Sequence, residues 1–175
     1  MIQQAIDAVR DAIDANIAAA LAEMPGSDAI TSVVAVTVTR HTLNEEQINA
    51  TPVGVRVEQD GPVATTWPLE HMEEAPMVPI GITCWISRPA LVTLADVSDR
   101  DMLRAVRALC RAVERSIRVA FRLESVRDID GVQVRAPIDM THGEPEQGDD
   151  AALTVMTMTC TVPALDWYAM GAAAG

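Results

Sequence analysis

Arginine supplies the most distinctive chemistry in this sequence. The segment 100–122, RDMLRAVRALCRAVERSIRVAFR, holds seven arginines, although the 175-residue chain has a formal net charge of −12 and no lysine. A guanidinium stays charged and can bind a carboxylate or a phosphate through two parallel hydrogen bonds. Because lysine is absent, a P-loop lysine, a Schiff base and a lysine general base are all excluded. The segment therefore predicts a surface that binds anionic groups.

The spacing of these arginines predicts one charged face of a helix. At about 100° per residue, six of them fall within an arc of roughly 80°. A second, apolar stripe lies well away from this arc and is predicted to pack on a sheet. We call the charged face the arginine stripe; it comprises Arg104, Arg107, Arg111, Arg115, Arg118 and Arg122, and the apolar stripe comprises Leu103, Val106, Cys110, Val113 and Ile117.

Some other surface must neutralise the arginine stripe, since like charges four residues apart cost a helix about 0.2–0.5 kcal/mol per pair. Segment 98–127 has eight arginines against four acidic residues, a charge of +4, so the rest of the chain carries −16. The chain's own acidic loops at 70–74 and 144–150 are one possible partner. The acidic surface of another copy is a second, and such contacts can close into a ring. A polyanion such as DNA is the third.

Acidic and aromatic residues complete the predicted interface. Two loops, 68–76 and 139–151, are too long and charged to serve only as turns, and we expect them to contact other copies or other components. Trp and Tyr are favoured at interface hot spots, so the aromatic pair after the last strand either anchors a partner or caps the core. The residues concerned are Glu70, Glu73, Glu74, Glu144, Glu146, Trp167 and Tyr168.

Cysteines and histidines do not form a recognisable catalytic motif. Cys84, Cys110 and Cys160 lie among apolar residues without a CxxC spacing, so we expect reduced, buried thiols. The three histidines, His41, His71 and His142, fall in predicted loops. The last two have acidic neighbours that could hold a cation, but flexible acidic loops are far commoner. No hydrolase, zinc-protease or dinucleotide-binding motif is present, so we expect no enzyme activity, no cofactor and no metal.

The elements that position these residues predict an α+β fold. An amphipathic N-terminal helix ends at Pro25-Gly26, and a capping box of Ser98 and Asp101 begins the long arginine helix. We expect both helices on one face of an antiparallel or mixed sheet, in a single domain over 1–165 with a C-terminal tail over 166–175. Strands are predicted at 34–39, 53–60, 62–67, 77–87, 131–140 and 153–162.

Finer features of the predicted strands are a bulged or edge start at Pro79 and a bulge near Val155–Met156. The strands at 34–39 and 154–162 show uncharged, threonine-rich outer faces, which are either simply exposed or packed against a neighbour. With a pI near 4.5, the chain is a poor candidate for a free nucleic-acid-binding domain. It also lacks the apolar run of a membrane span and the pattern of a signal peptide.

The order of elements resembles the tail terminator, or tail-completion, proteins of tailed bacteriophages over residues 1–165. The resemblance lies in the N-terminal helix, the loop-interrupted sheet, the strand VPIGITCWIS before one long helix, and the last strand LTVMTMTCTV. It implies a virion protein, assembled in the host cytoplasm, whose hexameric ring caps the tail tube, joins it to the head and passes DNA through its lumen. Its partners would be other copies, the tail tube and the head–tail connector, with no membrane.

Two alternatives to a tail terminator remain open. A head-completion or head–tail connector protein of the neck would show almost the same sequence features. A small-molecule-binding domain or an enzyme with a pocket between sheet and helices belongs to a different class. No catalytic residue carries over from the family, whose work is assembly.

Overall fold

The computed structural model describes residues 1–25, 36–40, 44, 46–47, 51–64, 76–87, 98–148 and 153–166. Two long helices and a curled, eight-stranded sheet give the predicted α+β class. The helices are α1 (Ile2–Ala22) and α2 (Asp99–Leu123). The strands are β1 (Thr37–Thr39), β2 (Val53–Gln59), β3 (Met77–Ser87), β4 (Val126–Ile129), β5 (Val132–Arg135), β6 (Ile138–His142), β7 (Glu146–Gln147) and β8 (Leu153–Asp166).

The sheet is mixed and is organised around its longest strand, β8. One edge of β8 pairs antiparallel with β3 from Leu153 to Pro163. The other edge pairs successively with β7, β6 and β5, and β4 completes that side by pairing with β5. On the other side of β3, β2 pairs with it antiparallel. Strand β1 pairs with β2, and this is the one parallel pairing among the described strands.

Both helices pack on one face of the sheet, as the sequence predicts. Alternate residues of β3 and β8, such as Ile82 and Met158, are buried in the core that the helices cover. In α2, four residues of the predicted apolar stripe are 0% exposed and Leu103 is half-buried. The apolar periodicity therefore identifies the face of α2 that holds it on the sheet.

The predicted capping box begins α2. The backbone N–H of Asp101 donates to Ser98 Oγ at 3.3 Å, and the backbone N–H of Ser98 donates to Asp101 Oδ2 at 3.2 Å. Hydrogen bonds from the Ser98 side chain and backbone lower the pKa of the Asp101 carboxyl. These bonds satisfy N–H groups that have no partner within the helix, so they fix where α2 begins.

The predicted strand at 131–140 is in fact two strands. It breaks at Ala136–Pro137 into β5 and β6, because proline has no N–H to donate to a ladder. Strand β4, which was not predicted, forms a hairpin with β5. Its turn is Asp130–Gly131, with φ angles of 52° and 80°. Positive φ at both turn positions is the geometry that such a tight hairpin requires.

The predicted bulge near Val155–Met156 is wrong. Pairing with β3 continues without a shift, since Trp85 lies opposite Val155 and Cys84 opposite Met156. The irregularity instead lies in β6, where the register shifts between Ile138 and Thr141 and the φ of Asp139 is 53°. The even-numbered residues from Met156 to Ala164 thus face the core without interruption.

Pro79 sits within β3 at the point where its neighbour β2 has ended. The last β2 pair is Gln59 with Ile80, and the N–H of Asp60 donates to the Pro79 carbonyl at 2.9 Å. The missing proline N–H therefore falls just beyond the ladder. The expected edge at the start of β3 is wrong, because Met77 bridges to Ala64 on one side and pairs with Pro163 of β8 on the other.

The predicted loop at 139–151 is largely the edge of the sheet. Strands β6 and β7 pair with β8, and the N–H of Gly143 donates to the Thr157 carbonyl at 2.8 Å. The predicted return strand at 62–67 is reduced, in its described part, to a single bridge between Ala64 and Met77. Residues 34–35, the loop at 68–75 and the tail from 167 lie outside the described residues.

Candidate functional site

The arginine stripe forms a continuous exposed face of α2. All six of its side chains are solvent-exposed, while Val106, Cys110, Val113 and Ile117 on the other side are fully buried. The helix is 25 residues long, so at about 1.5 Å per residue the stripe extends along most of a rod of roughly 37 Å. The predicted division of α2 into a core face and a charged face is confirmed.

Carboxylates neutralise only part of the arginine stripe. Arg118 pairs with Glu114 at 2.7 Å, Arg115 with Glu23 at the end of α1, and Arg107 with Glu144 at 3.9 Å. Glu23 was not among the partners that the sequence predicts. Such exposed pairs contribute about 0–1 kcal/mol each.

Three arginines of the stripe have no carboxylate partner among the residues that the structure describes. Within the described part of the chain, no acidic side chain reaches ion-pair distance of Arg104, Arg111 or Arg122. Of the predicted acidic partners, Glu146 is exposed on β7, and Glu70, Glu73 and Glu74 lie outside the described residues. Counted over the described residues, three of the six exposed arginines of the stripe pair with a carboxylate and three do not.

An open groove follows the C-terminal half of the stripe. Its volume is about 420 Å³, and its described lining consists of Arg111, Glu114, Arg115, Arg118, Val119 and Arg122. A smaller groove of about 240 Å³ lies on the other side of Arg118 and Arg122, against Ala136, Pro137 and Met140. The two guanidinium groups thus line both grooves, where each can bind a carboxylate of an acidic segment.

Exposed apolar residues accompany the same end of the stripe. Among the described residues, the exposed large hydrophobic side chains are Val119 at 37%, Leu123 at 82% and Val126 at 41%. All three fall within segment 119–126, beside Arg118 and Arg122. Arginine next to exposed apolar side chains is the composition that protein–protein interfaces favour.

The outer face of the sheet carries the predicted threonines. Thr157, Thr159 and Thr161 alternate with the buried residues of β8, and the hydroxyls of Thr141 and Thr159 lie 2.7 Å apart. This face is not free of charge, because Arg56 pairs with Glu58 at 2.6 Å on β2. The predicted threonine face is confirmed on β8, and in the described part of the other predicted strand Thr37 of β1 is exposed and Thr39 half-buried; no such face was predicted on β2.

A series of hydrogen-bonded side chains connects β6 to α2. His142 was predicted in a loop, but it lies in β6 with Nε2 2.9 Å from Glu114 Oε2 and Nδ1 3.3 Å from Cys110 Sγ. The Cys84 thiol of β3 acts on this series through the pKa of Cys110. Sequence reasoning missed this cluster because its members come from three separate elements; the one local signal was the helical spacing of Cys110 and Glu114.

The electrostatics of this chain favour a Cys110 thiolate. The hydrogen bond from Cys84 lowers the Cys110 pKa to about 7, against the opposing effect of burial and with the help of nearby His142. The same bond, together with burial, raises the pKa of Cys84. Although burial opposes it, hydrogen bonds from Arg118 and His142 lower the pKa of Glu114. Glu114 is thus a carboxylate, and Nε2 of His142 must carry a proton to donate to it.

The Cys110–His142–Glu114 chain has the order of a nucleophile, a base and a group that orients the base. However, Cys110 is 0% exposed and does not line either groove along α2, so a bulky substrate has no access to it. The described residues contain no group of three or more His, Cys, Asp or Glu placed to hold a metal ion. What the geometry supports is an enclosed cysteine side chain held against His142.

Neither helix is long and apolar enough to cross a membrane, judged over the part of the chain that the structure describes.

Comparisons with known proteins leave the family open. No protein-family model matches the chain, and no curated protein matches it in sequence. One similar solved structure, whose name states no function, is 13% identical; the alignment covers 91% of this chain and 94% of that one, with a TM-score of 0.42. A likeness at this level carries no argument about function, so the proposal below depends on this chain's own surfaces.

Proposed function

We propose that the chain is a tail terminator protein of a tailed bacteriophage. In this proposal its copies assemble into a ring that caps the tail tube and joins it to the head within the virion. The arginine stripe of α2 lies at the seam between neighbouring copies, where it meets an acidic surface. The protein works by assembly and has no enzymatic step.

The observation that carries the proposal is the incompletely neutralised arginine groove. Arg111 and Arg122 line a groove beside exposed Val119, and no described carboxylate pairs with either arginine. The remainder of the chain is strongly acidic, so a second copy offers the complementary charge. A patch that meets a different patch on the next copy makes a head-to-tail contact, which closes into a ring when the rotation allows.

Arg111→Glu is the sharpest test of the seam. Arg111 has no described ion-pair partner, so its reversal should change the stability of the monomer by less than about 0.5 kcal/mol. Like charges facing each other across an interface cost several kcal/mol, and roughly 1.4 kcal/mol is a tenfold change in affinity. Light scattering coupled to size-exclusion chromatography should show that the variant, and still more the double variant with Arg115→Glu, loses the oligomer.

Arg10→Glu is the matched control for this charge reversal. It changes the net charge by the same amount on α1, where Arg10 pairs with Asp7 and Asp11, and should leave assembly intact. Glu144→Arg or Glu146→Arg should partly restore the oligomer of Arg111→Glu if β6–β7 supplies the acidic partner. If the double variant Arg111→Glu, Arg115→Glu still forms rings but these rings slow the passage of DNA, the stripe lies in the lumen. If the double variant assembles and functions normally, the stripe is a solvated face and the seam is refuted.

A further inference from the structure

We propose that the smaller groove, between α2 and the junction of β5 and β6, binds Trp167 and Tyr168 from the C-terminal tail of a neighbouring copy. The groove is lined by residues of both elements, and the tail is the segment that follows β8. This contact rests on the proposed function in one respect, namely that copies of the chain meet at α2. Within that seam, the tail of one copy enters the groove of the next.

The smaller groove combines apolar side chains with two guanidinium groups. Two buried residues of α2 line it, Ile117 at 0% and Phe121 at 5% exposure. Three half-buried apolar residues and two exposed arginines complete its described lining: Ala136, Pro137, Met140, Arg118 and Arg122. Its volume of about 240 Å³ is the space of about eight waters at about 30 Å³ each. An apolar side chain that enters displaces this water and is buried against the lining.

An aromatic ring suits both parts of this lining. It can pack on Phe121 and on the sulfur of Met140, and a guanidinium over its face makes a cation–π contact. Phe121 already makes such a contact, since Arg127 Cζ lies 5.8 Å from the centroid of its ring. Tyrosine and tryptophan also keep a polar group for the wet rim, so they fit this groove better than aliphatic residues do.

The tail is where the chain places two aromatic side chains together. Of its five aromatic residues, Trp85 and Phe121 are buried in the described structure, at 4% and 5% exposure. Trp67 stands alone in the sequence, whereas Trp167 and Tyr168 are adjacent. Trp and Tyr are the side chains that most often dominate binding at the centre of an interface. The tail therefore supplies the kind of anchor that the groove can hold.

Charge complementarity supports the same segment. Arg118 pairs with Glu114, but among the described residues no carboxylate reaches ion-pair distance of Arg122. In the sequence an aspartate directly precedes the aromatic pair, so the segment DWYAM, 166–170, brings a carboxylate together with its rings. A guanidinium–carboxylate pair at the rim of an apolar groove fixes the orientation of the segment that binds there.

The course of β8 favours the tail of a neighbouring copy over that of the same chain. Next to the groove, Thr161 of β8 pairs with Ile138 of β6. Strand β8 then continues to Asp166, which pairs with Val132 at the other end of β5. At about 3.3 Å per residue, this stretch carries the chain about 16 Å from the groove. Because β8 ends while running away from its own groove, the groove of an adjacent copy is the more direct site for the tail.

Photo-crosslinking of the full chain tests the contact. 4-Benzoylphenylalanine replaces Tyr168, and equal amounts of isotope-labelled and unlabelled copies are assembled together and irradiated. Trypsin cleaves after arginine, so the tail lies in peptide 136–175 and one side of the groove in peptide 119–122. We expect these two peptides to be joined, with mixed labels. Joined peptides that always carry a single label would place each tail in its own groove, and the absence of joined 119–122 would place it elsewhere; either result overturns the proposal.

Trp167→Ala separates this contact from the seam as a whole. It should weaken self-association at least about tenfold in analytical ultracentrifugation, with the urea midpoint of the wild type, and Trp167→Phe should recover most of the association. If Arg111→Glu abolishes the oligomer but Trp167→Ala leaves it unchanged, the seam stands and the tail contact is refuted. If the crosslink forms between copies although Arg111→Glu assembles normally, the tail contact stands and the arginine seam is refuted. A Trp167→Ala protein that loses stability but not association would show that Trp167 caps its own core, against the proposal.

Discussion

Aspartate in place of valine should unfold the protein at one position of α2 and leave its stability unchanged at another. Val113 is 0% exposed on the core face of the helix, whereas Val119 is 37% exposed beside the arginine groove. Aspartate at position 113 would place a carboxyl among apolar side chains; at position 119 it would face solvent. Val113→Asp and Val119→Asp therefore test which face of α2 holds the fold and which is free for a partner.

The magnitudes follow from burial. Full burial of a valine side chain contributes about 1.5–3 kcal/mol, and Val113→Asp loses most of it. A buried carboxyl has its pKa raised by up to 3–5 units, so keeping it neutral at pH 7 costs up to about 4 kcal/mol relative to the unfolded chain. The sum, about 5–7 kcal/mol, is comparable with the total stability of many domains, about 5–15 kcal/mol. Val119→Asp should change stability by less than about 0.5 kcal/mol.

Thermal unfolding followed by circular dichroism measures both variants. At about 2–4 °C per kcal/mol, Val113→Asp should lower the Tm by more than about 10 °C, or abolish the transition. The raised pKa fixes the sign of the pH dependence: the stability difference from wild type is smallest below the unfolded pKa near 3.9 and grows as pH rises through the folded pKa. A Val113→Asp protein that melts within a few degrees of wild type at pH 7 would refute the assignment of the core face.

Two further predictions concern local packing. Gly54→Ala should cost about 3 kcal/mol or more and shift tryptophan emission to the red, because the new Cβ would lie 2.0 Å from Trp85 Cζ2 and expel a nearly buried indole. Gly81→Ala is its control, since the nearest atom there is Asp60 Cβ at 3.3 Å, and similar urea midpoints for the two variants would contradict the packing. Ser98→Ala should cost about 1 kcal/mol by removing the cap of α2, and an unchanged urea midpoint would show that the cap contributes nothing.

Strong periodicity made α2 and the long strands predictable. The apolar stripe through Val106 and Val113 gave the buried face of the helix, and the alternation in β3 and β8 gave the core face of each strand. These signals are local, because each repeats several times within one element. The capping pair Ser98 and Asp101 is local in the same sense, so the start of α2 was predictable as well.

Strand β7 and the end of β6, which lie in the predicted loop at 139–151, were not predictable, because tertiary pairing rather than pattern creates them. β7 is polar and exposed, and it and the end of β6 are strands because the long edge of β8 offers them hydrogen bonds. The β4–β5 hairpin did have a local signal, because Asp130-Gly131 is a dipeptide typical of tight hairpin turns. The contact of His142 with Cys110 depends on how β6 lies against α2, so no spacing in the sequence could reveal it.

Electron microscopy of the purified protein, alone and mixed with tail tubes assembled from the tube protein of the same phage, tests the proposed function most directly. We expect rings that seat on one end of the tube and stop its growth, and we expect Arg111→Glu to lose the rings while Arg10→Glu keeps them. Monomers or dimers that leave tube length unchanged, or rings that bind the head but never the tube, would contradict the account.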